Sequence, residues 1–257
     1  MRTLILVLIL FLIQNVHGQN NIAELKSLLE TIEKTDSLKE KIKTAHFEKL
    51  DIIEVYVELE RDIDFGYRHH RILIIPVSGS DLKLNFISKN GNMKTGWISE
   101  FQLDNNTHLN LKLFKSSPKL FTEYVFNHNK YYETNLDERE FKNQILDEYV
   151  VGFACGFSGK EISKESKKSI RYSNNKNSKK LNELLTSFSP ELQTLGAIGL
   201  IKINKITDKQ NVIIDHLKKR NSIIFSCSGC VYGSGETFNE GIKYYEDKMP
   251  VDNKAPE

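Results

Sequence analysis

The residues best suited to chemistry are two cysteines separated by two residues, Cys227 and Cys230, in the run 226-SCSGCVYGSGE-236. A CxxC pair can form a redox-active dithiol, half of a zinc site or a structural disulfide. A thioredoxin-type centre opens a helix early in a βαβ unit, but this pair lies close to the end of the sequence and Val231-Tyr232-Gly233 is a poor helix start. A structural zinc site needs four Cys or His ligands, so Cys155 and a distant histidine would have to complete it. We therefore expect a structural disulfide.

Three cysteines leave the pairing open. Proximity in the sequence favours a Cys227–Cys230 bond. A bond from Cys155 to either of them closes a much longer loop and would stabilise the fold more through loop-closure entropy, but it requires Cα atoms within about 7 Å. We favour Cys227–Cys230 and keep Cys155, Cys227 and Cys230 as the disulfide candidates.

Cys155 lies between small residues in 152-GFACGFSG-159 and could act as a nucleophile with a distant histidine base. The stretch has no GxSxG elbow, because Lys160 stands where the second glycine should be. We predict instead a tight turn between two helices, with Cys155 as a small buried side chain. The sequence thus identifies no catalytic residue.

Histidines and acids elsewhere could hold a metal ion. His69 and His70 stand between Arg68 and Arg71, and these cationic neighbours disfavour a bound cation, so we predict a solvated loop there. Acidic residues at positions 54, 58, 60, 62 and 64 alternate along and beyond a predicted strand, but the glycine and terminal glutamate of an EF-hand loop are missing. We interpret them as a solvated sheet face and predict no metal site and no cofactor. His108 and His128 could face each other across a sheet, although no spacing requires it.

The composition and the first residues of the chain limit where the protein can be located and which partners it can bind. The 257 residues carry a formal net charge of +2, which gives no global field for nucleic acid. One arginine precedes an apolar run over residues 4–13, and Val16 and Gly18 suit cleavage after Gly18. We predict that residues 1–18 are a signal peptide, that the protein is secreted or periplasmic with oxidised thiols, and that no transmembrane segment follows.

Periodicity divides the rest of the chain into two parts. Residues 22–34 and 37–50 have helical spacing, and Ser37 with Glu40 predicts a capping box. Alternating apolar residues between positions 51 and 126, with turn signals at Ser78-Gly79 and Asn90-Gly91, predict six antiparallel strands, the last over residues 122–126. After about residue 134 the helical period returns, with predicted helix starts at Ser189, Thr207 and Thr237.

One run in the second part resembles a known helical repeat. In 181-LNELLTSFSPELQTLGAIGLIKI-203 an amphipathic helix, a Ser-Pro turn and a helix with small residues follow one another, as in a HEAT-type helix pair. Residues 150–230 also resemble poorly characterised secreted proteins of Bacteroidota-type bacteria. The resemblance implies architecture and no activity.

These observations predict an α+β protein in which N-terminal helices and an antiparallel sheet or sandwich precede a small HEAT-like helical array. The predicted segments are a signal peptide (1–18), a helix and β domain (19–134), a HEAT-like domain (135–248) and a flexible tail (249–257). Helical arrays usually serve as binding surfaces. We therefore expect an exported, non-enzymatic protein that binds a protein or cell-envelope partner; the alternative is an exported thiol–disulfide protein using Cys227 and Cys230.

Overall fold

Helices and strands are distributed over two compact units. The computed structural model describes residues 22–103 and 106–250. Within that range the first unit contains residues 22–60 and 66–120, and the second contains residues 61–65 and 121–250. The proposed signal peptide (1–18) and most of the proposed tail (249–257) lie outside the described residues.

The first unit is built from two helices and a five-stranded antiparallel meander. Helix α1 covers 22–31 and α2 covers Leu38–Thr44. The strands are β1 (Ile52–Asp62), β2 (Tyr67–Pro76), β3 (Asp81–Lys89), β4 (Asn92–Gln102) and β5 (Thr107–Lys115), in the spatial order β1-β2-β3-β4-β5. Five of the six predicted strands are thus confirmed.

Turn chemistry and apolar packing explain this meander. Asn90 and Gly91 both have positive φ, 53° and 70°, as the tight turn between β3 and β4 requires. Apolar side chains of both helices pack on one face of the sheet and form a core that includes Leu25, Leu29, Ile42, Ile72, Leu84 and Ile98. The face is therefore apolar where the helices cover it.

Two local predictions for the segment 19–134 are wrong. Ser37 has a left-handed backbone and its side chain makes no capping hydrogen bond, because Ser37 Oγ donates to the Asp36 carbonyl oxygen instead. Residues 122–126 lie inside helix α3 (Pro118–Tyr132). The buried side chains Tyr124, His128 and Tyr132 recur every four residues, so helical packing overrides the strand propensity of Thr, Tyr, Val and Phe.

The second unit combines helices with a small mixed sheet. Its elements after α3 are α4 (Glu138–Leu146), β6 (Val151–Cys155), α5 (Lys164–Asn174), α6 (Ser178–Leu185), α7 (Pro190–Lys202), α8 (Asp208–Arg220), β7 (Ile223–Gly229), β8 (Val231–Thr237) and α9 (Phe238–Tyr245). Strand β7 is central, parallel to β6 and antiparallel to β8. The HEAT-like array is not confirmed, because strands precede and follow the helices. The predicted turn at residues 152–159 is wrong over its first half, which forms β6.

The helices of the second unit begin where the sequence predicted. Ser189, Thr207 and Thr237 each accept a backbone N–H at the start of a helix, and the last two form capping boxes. Gly196 of α7 lies against the backbone of α6, where a Cβ would collide with Leu185 N and Leu181 O. The α6–α7 pair is therefore as close as its small residues predicted.

No helix in the described ranges is both long and apolar enough to cross a membrane.

Candidate functional site

A polar cavity in the first unit is the best candidate for a functional site. Its volume is about 330 Å³. The residues around it come from the segment before and into α2, from β1, β2 and β3, and from the β3–β4 turn. Pockets of about 300 Å³ or more with a few convergent polar groups are typical of small-molecule sites.

Strand register produces the polar character of this cavity. In the β2–β3 pair Arg68 lies opposite Ser88, and Ile72 lies opposite Leu84 on the same face. Towards Ile72 and Leu84 that face belongs to the apolar core. Towards Arg68 and Ser88 it carries polar side chains around the cavity. The cavity therefore forms where the core face of the sheet changes from apolar to polar.

His70 is the central side chain of the cavity. It is 5 % exposed, its Nε2 lies 2.8 Å from Ser88 Oγ, and its ring stacks on Phe86 with 4.5 Å between ring centroids. Burial, and then the positive charge of Arg68, lower the pKa of His70 to about 4. His70 is therefore a neutral imidazole at physiological pH.

Charged groups of both signs surround His70. Arg68 Nη1 donates to Glu60 Oε1 at 2.7 Å, and Glu60 Oε2 lies 4.0 Å from His70 Nδ1. Asp36 and Lys39 also line the cavity. The two acids and two bases balance, so the cavity holds no large net charge.

Hydroxyl groups and apolar walls complete the lining. Thr35, Ser37 and Ser88 contribute hydroxyls, whereas Val57 and Ile72 contribute aliphatic surface. Thr35 Oγ1 donates to the Gly91 carbonyl oxygen at 3.3 Å, which ties the segment before α2 to the β3–β4 turn. Chemically, this lining can hold a small polar molecule through hydrogen bonds and contact with apolar groups.

The cysteines lie in the second unit and do not form a CxxC disulfide. The disulfide joins Cys155, at the end of β6, to Cys227 in β7, with Cα atoms 5.4 Å apart. The predicted Cys227–Cys230 bond is therefore wrong, because β6–β7 pairing brings Cys155 beside Cys227 while Cys230 lies in the turn after β7. Cys155 and Cys227 are buried, and Cys230 is a free, exposed thiol. Cys155 is bonded and cannot act as a nucleophile in this state.

His69 and His70 were predicted in a solvated loop, and the structure places both on strand β2 as buried residues. Strand alternation separates them: His70 lines the cavity, whereas His69 Nε2 lies 3.2 Å from Asn85 Oδ1. Arg71 Nε donates to the same Asn85 oxygen at 3.1 Å. The predicted loop is wrong because these four consecutive residues pair with β3 along their whole length.

The row of acids does not form one solvated face. Glu60 lines the cavity, and Asp64 is only 4 % exposed in the second unit. Asp64 Oδ2 accepts from Tyr132 Oη at 2.8 Å and from Arg220 Nη1 at 2.7 Å, and its Oδ1 lies 2.8 Å from His216 Nε2. Burial alone would raise the pKa of Asp64, but Arg220, His216 and Tyr132 together lower it to about 2.

A second buried ion pair lies in the same unit. Arg61 donates to Glu191 Oε1, which also accepts the Phe225 N–H at 2.9 Å, and Ser189 Oγ donates to Glu191 Oε2 at 2.6 Å. Burial would raise the pKa of Glu191, but Arg61 and these hydrogen bonds hold it below its usual value. All of these carboxylate contacts are internal, so the pair fixes the start of α7 against β7.

His108 and His128 do not face each other across a sheet. His108 lies in β5, where its Nδ1 is 2.7 Å from Ser99 Oγ. His128 lies in α3, buried among rings that include Phe188 at 4.2 Å between centroids. In the described parts of the chain, no group of three His, Cys, Asp or Glu side chains could hold a metal ion.

Sequence reasoning missed Ser88 and Arg68 as site residues. The turn signal at positions 78–81 could have placed β2 against β3 to within a residue or two, and that pairing brings Ser88 beside Arg68 and His70. Comparison with known proteins adds no further information: no protein-family model, curated protein or solved structure matches this chain.

Proposed function

We propose that the protein is exported and binds a small polar component of the cell envelope in the polar cavity of the first unit. The observation that carries this proposal is the cavity itself, in which a neutral imidazole, three hydroxyl side chains and balanced charges surround about 330 Å³.

The lining favours an uncharged, hydroxyl-rich ligand. Asp36 and Glu60 balance Lys39 and Arg68, so a strongly anionic or cationic ligand gains little. The hydroxyl oxygens of Thr35, Ser37 and Ser88 can accept hydrogen bonds from a ligand, whereas the protons of Thr35 and Ser37 are donated to backbone carbonyl oxygens. A single N-acetylated sugar ring, which is uncharged and rich in hydroxyls, has this chemistry.

Export is supported by two observations. The Cys155–Cys227 disulfide suits an oxidising compartment, and residues 1–18 have the pattern of a signal peptide cleaved after Gly18. Sequencing the amino terminus of protein recovered outside the cytoplasm tests the second point, and a first residue other than Gln19 would contradict the cleavage site.

The binding function is tested by titrating N-acetylglucosamine into the mature protein by calorimetry. We expect saturable binding that disappears in Val57→Trp, because Val57 lines the cavity and is 48 % exposed, so a larger ring there fills the space. The matched control is Ile53→Trp, at a 63 % exposed position of the same strand away from the cavity.

Loss of binding in Val57→Trp with retention in Ile53→Trp supports the proposal. Equal binding by both variants places the site elsewhere. The absence of a measurable heat for the wild-type protein with N-acetylglucosamine, glucose and alanine rejects a small polar ligand.

The second candidate is a thiol–disulfide protein, favoured by the exposed Cys230 three positions from the bonded Cys227. Attack of the Cys230 thiolate on Cys227 Sγ would form a Cys227–Cys230 bond and release Cys155 as a thiolate, with no net oxidation. The buried position of both bonded sulfurs favours a stabilising role instead.

A further inference from the structure

Three side chains of the cavity have the order of a nucleophile, a base and a carboxylate. Ser88 Oγ lies 2.8 Å from His70 Nε2, and Glu60 Oε2 lies 4.0 Å from His70 Nδ1. All three line the same cavity. We propose that Ser88, His70 and Glu60 form an acyl-transfer site that hydrolyses short-chain esters of small polar alcohols.

The pair of Ser88 and His70 meets the main chemical requirement. A serine hydroxyl is a weak nucleophile until a base within hydrogen-bonding distance takes its proton. His70 Nε2 lies within this distance of Ser88 Oγ, at 2.8 Å. Burial and Arg68 lower the pKa of His70 to about 4, which keeps the imidazole neutral at physiological pH but also makes it a weak base. Stacking on Phe86, with 5° between the ring planes, holds the imidazole in one orientation.

Local backbone geometry also marks the position of Ser88. The register between β3 and β4 shifts between Ile87 and Ser88. The extra residue of this bulge is Lys94 on β4, directly beside the position of Ser88 on β3. Such bulges are frequent beside active sites.

Glu60 and Arg68 supply opposite charges beside His70. Glu60 is a positioning residue: at 4.0 Å its Oε2 attracts the imidazolium that forms when Nε2 takes a proton, without a hydrogen bond. Arg68 is the cross-strand partner of Ser88 and lines the cavity. Its Nη1 donates to Glu60 Oε1 at 2.7 Å, so its charge offsets part of the charge of Glu60.

The reaction balances with these groups and water alone. Ser88 Oγ bonds to the ester carbonyl carbon as its proton moves to His70 Nε2. The ester C–O bond then breaks, and the leaving alkoxide takes that proton, which leaves an acylated Ser88. Water then attacks the acyl carbon as His70 Nε2 takes its proton. The bond between the acyl carbon and Ser88 Oγ breaks, Ser88 Oγ takes that proton from His70, and the products of the whole reaction are a carboxylic acid and an alcohol.

This inference rests on the proposed function only in that both use the same cavity. The test treats the mature protein with a fluorophosphonate and, separately, with 4-nitrophenyl acetate. We expect one phosphonyl group per chain, found by peptide mapping on Ser88. Hydrolysis of the acetate should fall at least about 100-fold in Ser88→Ala and in His70→Ala.

The matched control is Ser99→Ala, since Ser99 Oγ lies 2.7 Å from His108 Nδ1 in a second serine–histidine pair that does not line the cavity. This variant should keep the wild-type rate and labelling. Glu60→Gln should lower kcat about tenfold and leave KM unchanged, a split that a purely structural role would not produce.

Label on a residue other than Ser88, or an unchanged rate in a folded Ser88→Ala, overturns the proposal. The labelled residue is identified in wild-type protein, so this result tests the proposal even if a variant does not fold. If wild-type protein binds N-acetylglucosamine but is never labelled, this inference is rejected and the binding function stands. Labelling at Ser88 in protein that does not bind the sugar supports this inference and rejects the binding function.

Discussion

At the scale of single residues, the charged side chains divide into a buried kind and a partly exposed kind. Those of the second unit, such as Asp64 and Glu191, are satisfied by internal partners and act structurally. In the first unit, Glu60 and Arg68 are each 44 % exposed at the side chain and line a cavity together with a neutral His70. Incomplete burial is what makes the second kind available to a ligand.

Asp64 gives a prediction about stability and pH. Its folded pKa of about 2 lies below the ordinary value of 3.8, so the ionised carboxylate stabilises the fold by about 2 kcal/mol above pH 4, and this contribution is lost as the pH falls towards 2. Asp64→Asn should be destabilised by about 3 kcal/mol at pH 7, because Arg220 is left buried without its anion. Urea unfolding between pH 7 and 2 measures both effects.

The control for this measurement is Asp215→Asn, at a side chain that is 66 % exposed and 3.7 Å from Lys218. It should change the free energy of unfolding by less than about 0.5 kcal/mol. If Asp64→Asn loses as much stability between pH 4 and pH 2 as the wild-type protein does, then another carboxylate causes that loss.

At the scale of elements, the disulfide staples two neighbouring parallel strands. Cys155 ends β6, and pairing of β6 with β7 brings it beside Cys227. Gly152 packs against both sulfurs, since a Cβ there would collide with each of them. The bond and the strand pairing therefore support the same local arrangement.

Replacing both bonded cysteines, in Cys155→Ala with Cys227→Ala, should lower the free energy of unfolding by up to about 4 kcal/mol. This follows from loop-closure entropy, because the bond spans 72 residues. The control Cys230→Ser should leave stability unchanged, and denaturant unfolding compares the three proteins. Opening of the wild-type bond near −200 mV would support the thiol–disulfide alternative, whereas a potential below about −300 mV supports a staple.

How far the sequence predicts these elements depends on how local the determining interaction is. The capping hydrogen bonds at Thr207 and Thr237 depend on a stretch of only four residues, and the sequence predicted both helix starts. Strand β6 is buried and does not alternate, so local pattern could not separate it from a turn. The cavity depends on the pairing between β2 and β3, which the turn signal at positions 78–81 places only to within a residue or two. A shift of one residue would move Ser88 to the other face of the sheet, so the sequence does not fix its meeting with His70.

At the scale of the whole molecule, each unit has its own apolar core. The first unit places its core under two helices and leaves a polar cavity at one end of the covered face. In the second unit a disulfide joins β6 to β7, and two buried ion pairs hold Asp64 to Arg220 of α8 and Arg61 to Glu191 of α7. From this contrast we propose that ligand binding belongs to the first unit and that the buried pairs of the second unit reinforce its fold.

The measurement that tests this assignment most directly is histidine-ring NMR of mature protein labelled with ¹⁵N-histidine, during addition of N-acetylglucosamine. His70 lines the cavity, whereas His128 is buried in the second unit. The account predicts a saturable shift of the His70 ring signals, an unchanged His128, and no shift at His70 in Val57→Trp. A His70 ring that stays unperturbed while the sugar binds would contradict the cavity as the functional site.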